Sequence, residues 1–469
     1  MTRRALLIVL LALACVAPAP ALAATDRVTV NLSSAIGSAA RWGINVDYLT
    51  DDDRLRPPGA VSLGNALLGL GATFARYPGG EKSDSYLWSV PPLAEPTPTL
   101  ARTGPDAWPS NDPDLVTDYV FYRRPPLDFD RFLAAASAGG AAPVVVMNVD
   151  SAFATTGNPP TLERLISTAA MWVRYARGRV RYWELGNESY KGSQNGRPTA
   201  GQYAAAAVQF ARAMKAEDPT IQIGVNGGDS AWWSKVLPVT SADIDFVVVH
   251  TYPLTNWSGF STFASKTNLV GAVESARSAI ATYAPAAHRA RLKIAVTEVG
   301  ALNFGSGWAN AADLGHAIVL FDLVGQHLAQ SDVLFTLVWT SRWVEADSPY
   351  NLLTEMNEPT PLGTALSLWR AGGTVLSVAR SGKTRGYAVR DGASVRVALI
   401  NPTTSSRTVD LRFSASVASQ AMPRRVFGGT TPRDPAPTIR TLAGVSIAGS
   451  HVSVKLDPVS VTLLTVQAP

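Results

Sequence analysis

The sequence predicts an α/β chain built as a (β/α)8 TIM barrel with a C-terminal β-sandwich domain. Three observations carry this expectation. Between residues 40 and 361, eight short apolar runs rich in β-branched residues alternate with helix-like stretches, the pattern of a parallel sheet with crossover helices. From residue 362 the helical period fades and strand-like runs replace it. No G-x-G-x-x-G loop follows a strand, which removes the usual signal of a doubly wound open sheet.

Residues 1–23 read as a secretory leader. Arg3 and Arg4 precede a short apolar run, Ala5 to Val16, and Ala21-Leu22-Ala23 is a small-residue cleavage pattern. A secreted or periplasmic location is therefore expected. The run is too short and too broken by proline to span a membrane. Its Cys15 is the only cysteine, and lipoprotein anchoring there is the alternative; Ala12, three residues earlier, is smaller than such sites usually carry. Cleavage after Ala23 leaves no thiol, hence no disulfide, cysteine metal site or cysteine nucleophile.

Residues 24–39 hold a strand-like run, 27–34, expected to join the C-terminal sandwich and tie the chain ends together. The barrel strands are expected at 42–46, 73–77, 143–149, 180–185, 222–225, 246–252, 292–297 and 333–339. Helices are expected at 128–138, 162–175, 201–216, 269–283 and 311–330. Residues 89–126, after the second strand, are rich in proline; in a barrel a long loop there lies on the C-terminal face, where active sites form. In residues 362–469, strands are expected at 385–390, 394–400, 408–413, 451–456 and 459–466, with Asp391-Gly392 as a hairpin turn.

Composition excludes several classes. With 46% hydrophobic and 16% charged residues, the chain is not intrinsically disordered. Its 37 glycines and 32 prolines follow no Gly-X-Y period, which excludes collagen. The net charge is +5; without Arg3 and Arg4, 39 basic residues face 36 acidic ones, with no long Lys/Arg cluster to suggest a nucleic-acid partner. No G-x-S-x-G elbow and no H-E-x-x-H motif is present, and five scattered histidines form no recognisable zinc set. Asp51-Asp52-Asp53 reads as a solvated loop.

Two stretches carry chemistry. Trp183-Glu184-Leu185-Gly186-Asn187-Glu188 ends the fourth barrel strand, and Ile294-Ala295-Val296-Thr297-Glu298 ends the seventh. Each apolar strand delivers one carboxylate, Glu188 or Glu298, to the C-terminal rim. Two rim carboxylates suit glycosidic bond hydrolysis, which needs a proton donor for the leaving oxygen and a carboxylate for the anomeric carbon. Glu184 lies deeper in its strand and reads as a buried, hydrogen-bonded structural group.

Arg76-Tyr77-Pro78-Gly79-Gly80, the 183–188 stretch, His250-Thr251-Tyr252-Pro253 and Thr297-Glu298 occur in the order and strand positions of the clan A retaining glycoside hydrolases. The first two look most like glycoside hydrolase family 51, the α-L-arabinofuranosidases, with related patterns in families 39, 44 and 79. The resemblance covers nearly the whole chain after the leader. It implies Glu188 as general acid/base and Glu298 as nucleophile. It also implies that Asn187 bonds the sugar 2-hydroxyl, that Arg76 contacts Glu298, that His250 and Tyr252 orient Glu298 or the sugar, and that Trp339 is a stacking platform. Like charges a few ångströms apart then predict a raised pKa for Glu188 and a low one for Glu298. No cofactor or metal is expected; the partner is a polysaccharide or oligosaccharide. The chain departs from family 51 at Thr297 and Val299, which stand where an acidic and an aromatic residue are usual, and at Glu81, which stands for Asn. The alternatives are a non-catalytic carbohydrate-binding protein on the same barrel and, among enzymes, an endo-glucanase or β-glucuronidase.

Overall fold

Eight parallel strands close into a barrel in chain order: β2 (Trp42–Asn45), β3 (Phe74–Tyr77), β4 (Ala142–Met147), β5 (Tyr182–Leu185), β6 (Gln222–Asn226), β7 (Phe246–Thr251), β8 (Lys293–Val299) and β9 (Val333–Val338), with β9 pairing back to β2. The computed structural model describes residues 26–88, 127–155, 159–191, 197–255, 260–303, 312–343, 348–370 and 372–468. The leader with Cys15, the proline-rich segment 89–126, Trp257 and Trp308 lie outside the described residues. Among those described, no helix is long and apolar enough to cross a membrane.

The helices start where the sequence supplies side-chain oxygens. Asp128, Thr161, Thr199, Asp229, Asp313 and Thr360 each accept a hydrogen bond from a backbone N–H in the first turn of the helix that follows. Each such cap is worth about 1 kcal/mol. The inward stripes of these helices, such as Phe129, Phe132 and Ala136 of helix Phe129–Ala138, pack on the outer faces of the strands.

The second domain is one continuous sheet folded over itself. β1 (Asp26–Ser38) pairs antiparallel with β10 (Thr374–Ser381) and parallel with β13 (Arg407–Gly428). β11 (Arg385–Asp391), β12 (Ser394–Asn401) and β15 (Ser460–Gln467) continue from β10, and β15 pairs with the far end of β13. β14 (Thr438–Leu456) runs along β13. Alternate residues of β1, among them Val28 and Val30, face a core shared with Leu399, Leu411 and Leu464.

Three features differ from the sequence expectation. β10 is a strand that the expectation omitted. β13 and β14 are far longer than 408–413 and 451–456, because their Ala-, Ser- and Arg-rich extensions have weak strand propensity and are held by each other's ladder. Of Asp51-Asp52-Asp53, expected as a solvated loop, only Asp53 is exposed. Asp51 is fully buried, bonded to Arg342 and to the Asp47 backbone N–H, and Asp52 forms a bidentate pair with Arg54 at 2.8 and 2.9 Å.

Asp26 fastens β1. Its carboxylate accepts from Arg407 twice at 2.6 Å and from the Thr384 backbone N–H at 2.9 Å. Burial alone would raise its pKa, but Arg407 and Thr384 outweigh it and hold the group at about 2. The folded value lies below the unfolded one, so this stabilisation is present above pH ~4 and fades as pH falls toward 2. Asp26→Asn is expected to cost about 2 kcal/mol in urea unfolding at pH 7, with the gap to the parent closing near pH 2. A gap that stays constant down to pH 2 would contradict this account.

Candidate active site

Side-chain alternation sorts the barrel interior into layers. Phe74, Tyr182, Phe246 and Phe335 form an aromatic floor, with Phe74–Phe335 centroids 4.8 Å apart and Tyr182–Phe335 centroids 5.2 Å apart. Two residues further along β3 and β5, the same inward period delivers Arg76 and Glu184. Four residues beyond Phe246 it delivers His250.

Arg76 is completely buried. Its Nε and Nη2 donate to the two oxygens of Glu184 at 2.9 and 3.0 Å, Nη1 donates to Asn45 Oδ1 at 2.8 Å, and Nη2 also reaches Asn187 Oδ1 at 2.9 Å. Glu298 Oε2 lies further off, 3.6 Å from Nη1. The expected ion pair of Arg76 with Glu298 is thus present, but its hydrogen-bonded partner is Glu184, because Arg76 and Glu184 lie at the same depth of the barrel. A fully buried Arg76 acts through its neighbours rather than by touching a sugar. Burial pushes Glu184 up in pKa, yet Arg76 and His250 outweigh it and leave the group lowered.

Glu298 reaches the interior by a register shift. Val249 pairs with Val296, but His250 pairs with Glu298, so Thr297 is an extra residue on β8. Both neighbours then face inward. Thr297 Oγ1 donates to Glu184 Oε1 at 3.2 Å and sits 3.1 Å from His250 Nε2. Glu298 Oε1 accepts from Tyr252 Oη at 2.5 Å.

Glu188 is placed by a sharp turn after β5. Gly186 has φ 71° and Glu188 φ 49°; a Cβ on Gly186 would lie 2.5 Å from Ser189 Oγ. A left-handed glutamate is uncommon and costs about 1–2 kcal/mol. The turn is held by Arg197, whose Nη1 donates to the carbonyls of Glu188 at 2.6 Å and Asn187 at 3.1 Å. Behind Arg197 lies fully buried Asp150, which burial lifts to about pKa 7 against the Ser189 hydrogen bond.

These turns bring polar atoms of Glu188, His250 and Glu298 within 4.8 Å of one another. His250 Nδ1 is 3.1 Å from Glu188 Oε1 and 3.6 Å from Glu298 Oε2. Lys191 Nζ lies 2.5 Å from Glu188 Oε2. Burial disfavours a charged His250, but Glu298, Glu184 and Glu188 outweigh it and raise its pKa to about 9. Glu188 is opposed by burial too, yet His250 and Lys191 pull it down to about 2. Glu298 is raised, by burial first, with Glu188 adding to it against His250 and Arg76. The expected order of the two glutamates is therefore reversed, since the cations lie closest to Glu188. The same three donors are close enough to be a metal set, but they fit one poorly: His250 carries a proton at neutral pH, and Lys191 and Arg76 already supply positive charge.

The structure thus brings Arg76, Asn187, Glu188, His250, Tyr252 and Glu298 together. Arg76 can only donate, so the Asn187 atom it meets is the oxygen. Trp339 also lies at this end, but only 4% of it is exposed. Gly80 packs against its ring, where a Cβ would fall 2.5 Å away, and Trp343 tilts against it at 5.3 Å. Little of the ring is open to stack on a sugar. Sequence reasoning missed Lys191, Arg197 and the buried Lys82–Asp47 pair, 2.9 Å apart, whose Lys82 Nζ also lies 4.2 Å from the Trp343 ring centroid. Only Lys191 left a readable signal, its three-residue spacing from Glu188.

No family model matches the chain. It is 27% identical over 205 residues to an intracellular exo-alpha-(1->5)-L-arabinofuranosidase of Streptomyces lividans, a match spanning 39% of this chain and 28% of that protein. Among solved structures it resembles an alpha-L-arabinofuranosidase of Thermotoga maritima, with TM-score 0.73 at 17% identity, covering 94% of this chain and all of that one. A family 44 xyloglucanase of Paenibacillus polymyxa superposes with TM-score 0.64 at 13% identity over 95% of this chain and all of that one. These structural likenesses show a shared fold.

Two outcomes follow from the buried charges. Glu184→Ala leaves Arg76 with its main counter-charge missing and is expected to cost about 3–5 kcal/mol in urea unfolding; an unchanged midpoint would refute the pairing. His250 titrates higher folded than unfolded, so its stabilisation is complete below pH ~6.5 and lost as pH rises through about 9. His250→Gln should therefore lower the unfolding midpoint more at pH 6 than at pH 10, and an equal loss at both would count against the charged imidazole.

Proposed function

We propose that this chain is a retaining glycoside hydrolase acting on α-L-arabinofuranosides, exported under the direction of residues 1–23. The observation that carries the chemistry is the placement of the Glu188 and Glu298 oxygens within 4.8 Å at the barrel mouth. Retaining enzymes hold their two carboxyl groups about 5–5.5 Å apart, whereas inverting ones need more room, to admit a water between them. The arabinofuranoside choice rests on the 183–188 and 76–80 motifs and on the Streptomyces lividans relative.

In this reading Glu298 attacks the anomeric carbon while Glu188 protonates the departing oxygen, giving a glycosyl ester on Glu298 and a free alcohol. Glu188 then takes a proton from water, the hydroxide adds to the anomeric carbon, and Glu298 leaves as carboxylate. Tyr252 holds Glu298 Oε1 in place for the attack. Asn187 turns its oxygen to Arg76, which leaves its amide N–H groups for the sugar 2-hydroxyl.

The reversed pKa order fits this chemistry if the group of three, rather than one glutamate, holds the catalytic proton. His250 carries it in the free protein and lies 3.1 Å from Glu188, so a shift along that hydrogen bond yields the protonated acid. Loss of the Glu188 charge also releases Lys191.

The test is a panel of aryl glycosides of arabinofuranose, xylose, glucose and glucuronic acid, followed by NMR of the first-formed sugar. Release of arabinose with its configuration retained is expected. Glu298→Ala should lose several orders of magnitude on every substrate. Glu188→Ala should keep its first step with a dinitrophenyl glycoside, accumulate the intermediate and be rescued by azide. Rescue of Glu188→Ala with inverted product would exchange the two roles. Binding of oligosaccharides without any turnover would leave a carbohydrate-binding protein instead.

A further inference from the structure

Thr297 joins two charged layers of the barrel. Below it lies Glu184, completely buried and gripped by Arg76. Beside it lies His250, whose side chain is 2% exposed. The Thr297 hydroxyl meets both, at 3.2 Å from Glu184 Oε1 and 3.1 Å from His250 Nε2. Glu184 Oε1 and His250 Nε2 are themselves 3.8 Å apart, too far for a hydrogen bond. The hydroxyl therefore spans a gap that the two charges leave open. Thr297 is completely buried, so solvent does not compete for these bonds. It points inward only because of the register shift against β7; in a regular strand it would face away from Glu298's side.

The direction of each bond follows from what the partners can give. Glu184 is held as a carboxylate by Arg76 and His250 and can only accept, so it takes the Thr297 hydrogen. The hydroxyl oxygen then turns its lone pairs to Nε2, which must carry a proton. Across the ring, Nδ1 lies 3.1 Å from Glu188 Oε1 and 3.6 Å from Glu298 Oε2. The charged groups around His250 are thus Glu184 and Glu188 from β5 and the turn after it, Glu298 from β8, and Arg76 from β3 behind Glu184. Lys191 and the Tyr190 hydroxyl reach Glu188, and Tyr252 reaches Glu298. An imidazolium, with an N–H on each side, satisfies both sets of acceptors at once.

We propose that Thr297 is a positioning residue for the acid step: its hydroxyl holds the Nε2 proton of His250, so that the proton offered to Glu188 is the one on Nδ1. This rests on the reading of Glu188 as the general acid. In that step the Nδ1–H bond breaks as the Glu188 Oε1–H bond forms. What remains is a neutral carboxylic acid and a neutral ring that still donates Nε2–H to Thr297. Anchored at Nε2, the ring keeps Nδ1 aimed at Glu188 in both states. The same bond favours the charged ring, because a hydrogen bond from an imidazolium is stronger than one from a neutral imidazole.

The test is a nitrogen-15 NMR titration of the full chain carrying labelled histidine. Burial holds His316 and His327 down to about pKa 3 and 4, so neither titrates with His250, and the signal lost in His250→Gln identifies it. Thr297→Val keeps the shape and removes the acceptor. The His250 midpoint, about 9 in the parent, should then fall by about one pH unit. Thr297→Ala, which puts no methyl against Glu184, should move it the same way. Thr297→Ser keeps the hydroxyl and should restore the parent midpoint. A midpoint unmoved in both hydroxyl-free variants, or lowered equally in Thr297→Ser, overturns the proposal. This titration needs no substrate, so it can fail while the proposed activity holds, and the reverse. On an accepted aryl glycoside, kcat/KM of Thr297→Val should drop about tenfold more with a poor leaving group than with a dinitrophenyl one. Equal losses on the two would overturn the link to proton donation.

Discussion

The guanidinium of Arg76 sits in a barrel interior closed below by aromatic rings, and it can only donate. A buried charge in that position is tolerated only when it is well paired; four hydrogen bonds use four of its five N–H groups, and Glu298 Oε2 lies 3.6 Å from Nη1. Each acceptor is then fixed in turn. Glu184 is held as a carboxylate, Asn187 is turned with its oxygen inward, and Asn45 is placed so that its amide binds the Thr297 and Val338 carbonyls. Those last two bonds tie β2 to the ends of β8 and β9. The geometry of the barrel mouth thus rests on satisfying one cation.

Above that layer the charges are arranged by exposure. Two anions and an imidazole share a small space, which is costly unless a proton is shared among them. His250 is buried and bonded on both nitrogens, so its position is fixed. Lys191, by contrast, lies on the solvent side, with just over half of its side chain exposed. The fixed partner orients Glu188, and the exposed partner can follow changes in its charge. This division gives Glu188 a defined place and a variable protonation state, which proton transfer requires.

The sandwich is joined to the barrel through buried polar contacts as well as apolar packing. Arg385 of β11 pairs with Asp322 on helix Leu314–Leu328 and donates to the carbonyls of Phe263 and Lys266 at 2.7 and 2.9 Å. Tyr387 bonds the same Asp322. These groups are far apart in sequence and buried together, so separating the two units would leave several unpaired at once. With β1 laced between β10 and β13, both ends of the described chain belong to one sheet, and the barrel lies between them.

The eight barrel strands were legible in the sequence because they are short apolar runs, rich in β-branched or aromatic residues, that alternate with helix-like stretches. The rim glutamates were legible because a carboxylate directly after an apolar strand has few structural uses. The depth of Glu184 in its strand also marked it as a buried structural group, while Arg76 came with the motif resemblance. What the period could not give was Glu298 beside Thr297, since adjacent residues of a regular strand face opposite ways; the register shift against β7 turns both inward, and it exists only in the paired sheet. Nor could it choose the partner of Arg76, set by which carboxylate lies at its depth, or the pKa order of Glu188 and Glu298, set by where His250 and Lys191 come to rest. Local pattern determined the strands and the chemical groups they carry. Distances between groups on different strands, and hence their charges, were decided by barrel closure, because electrostatics depends on separations in space that no spacing along the chain encodes.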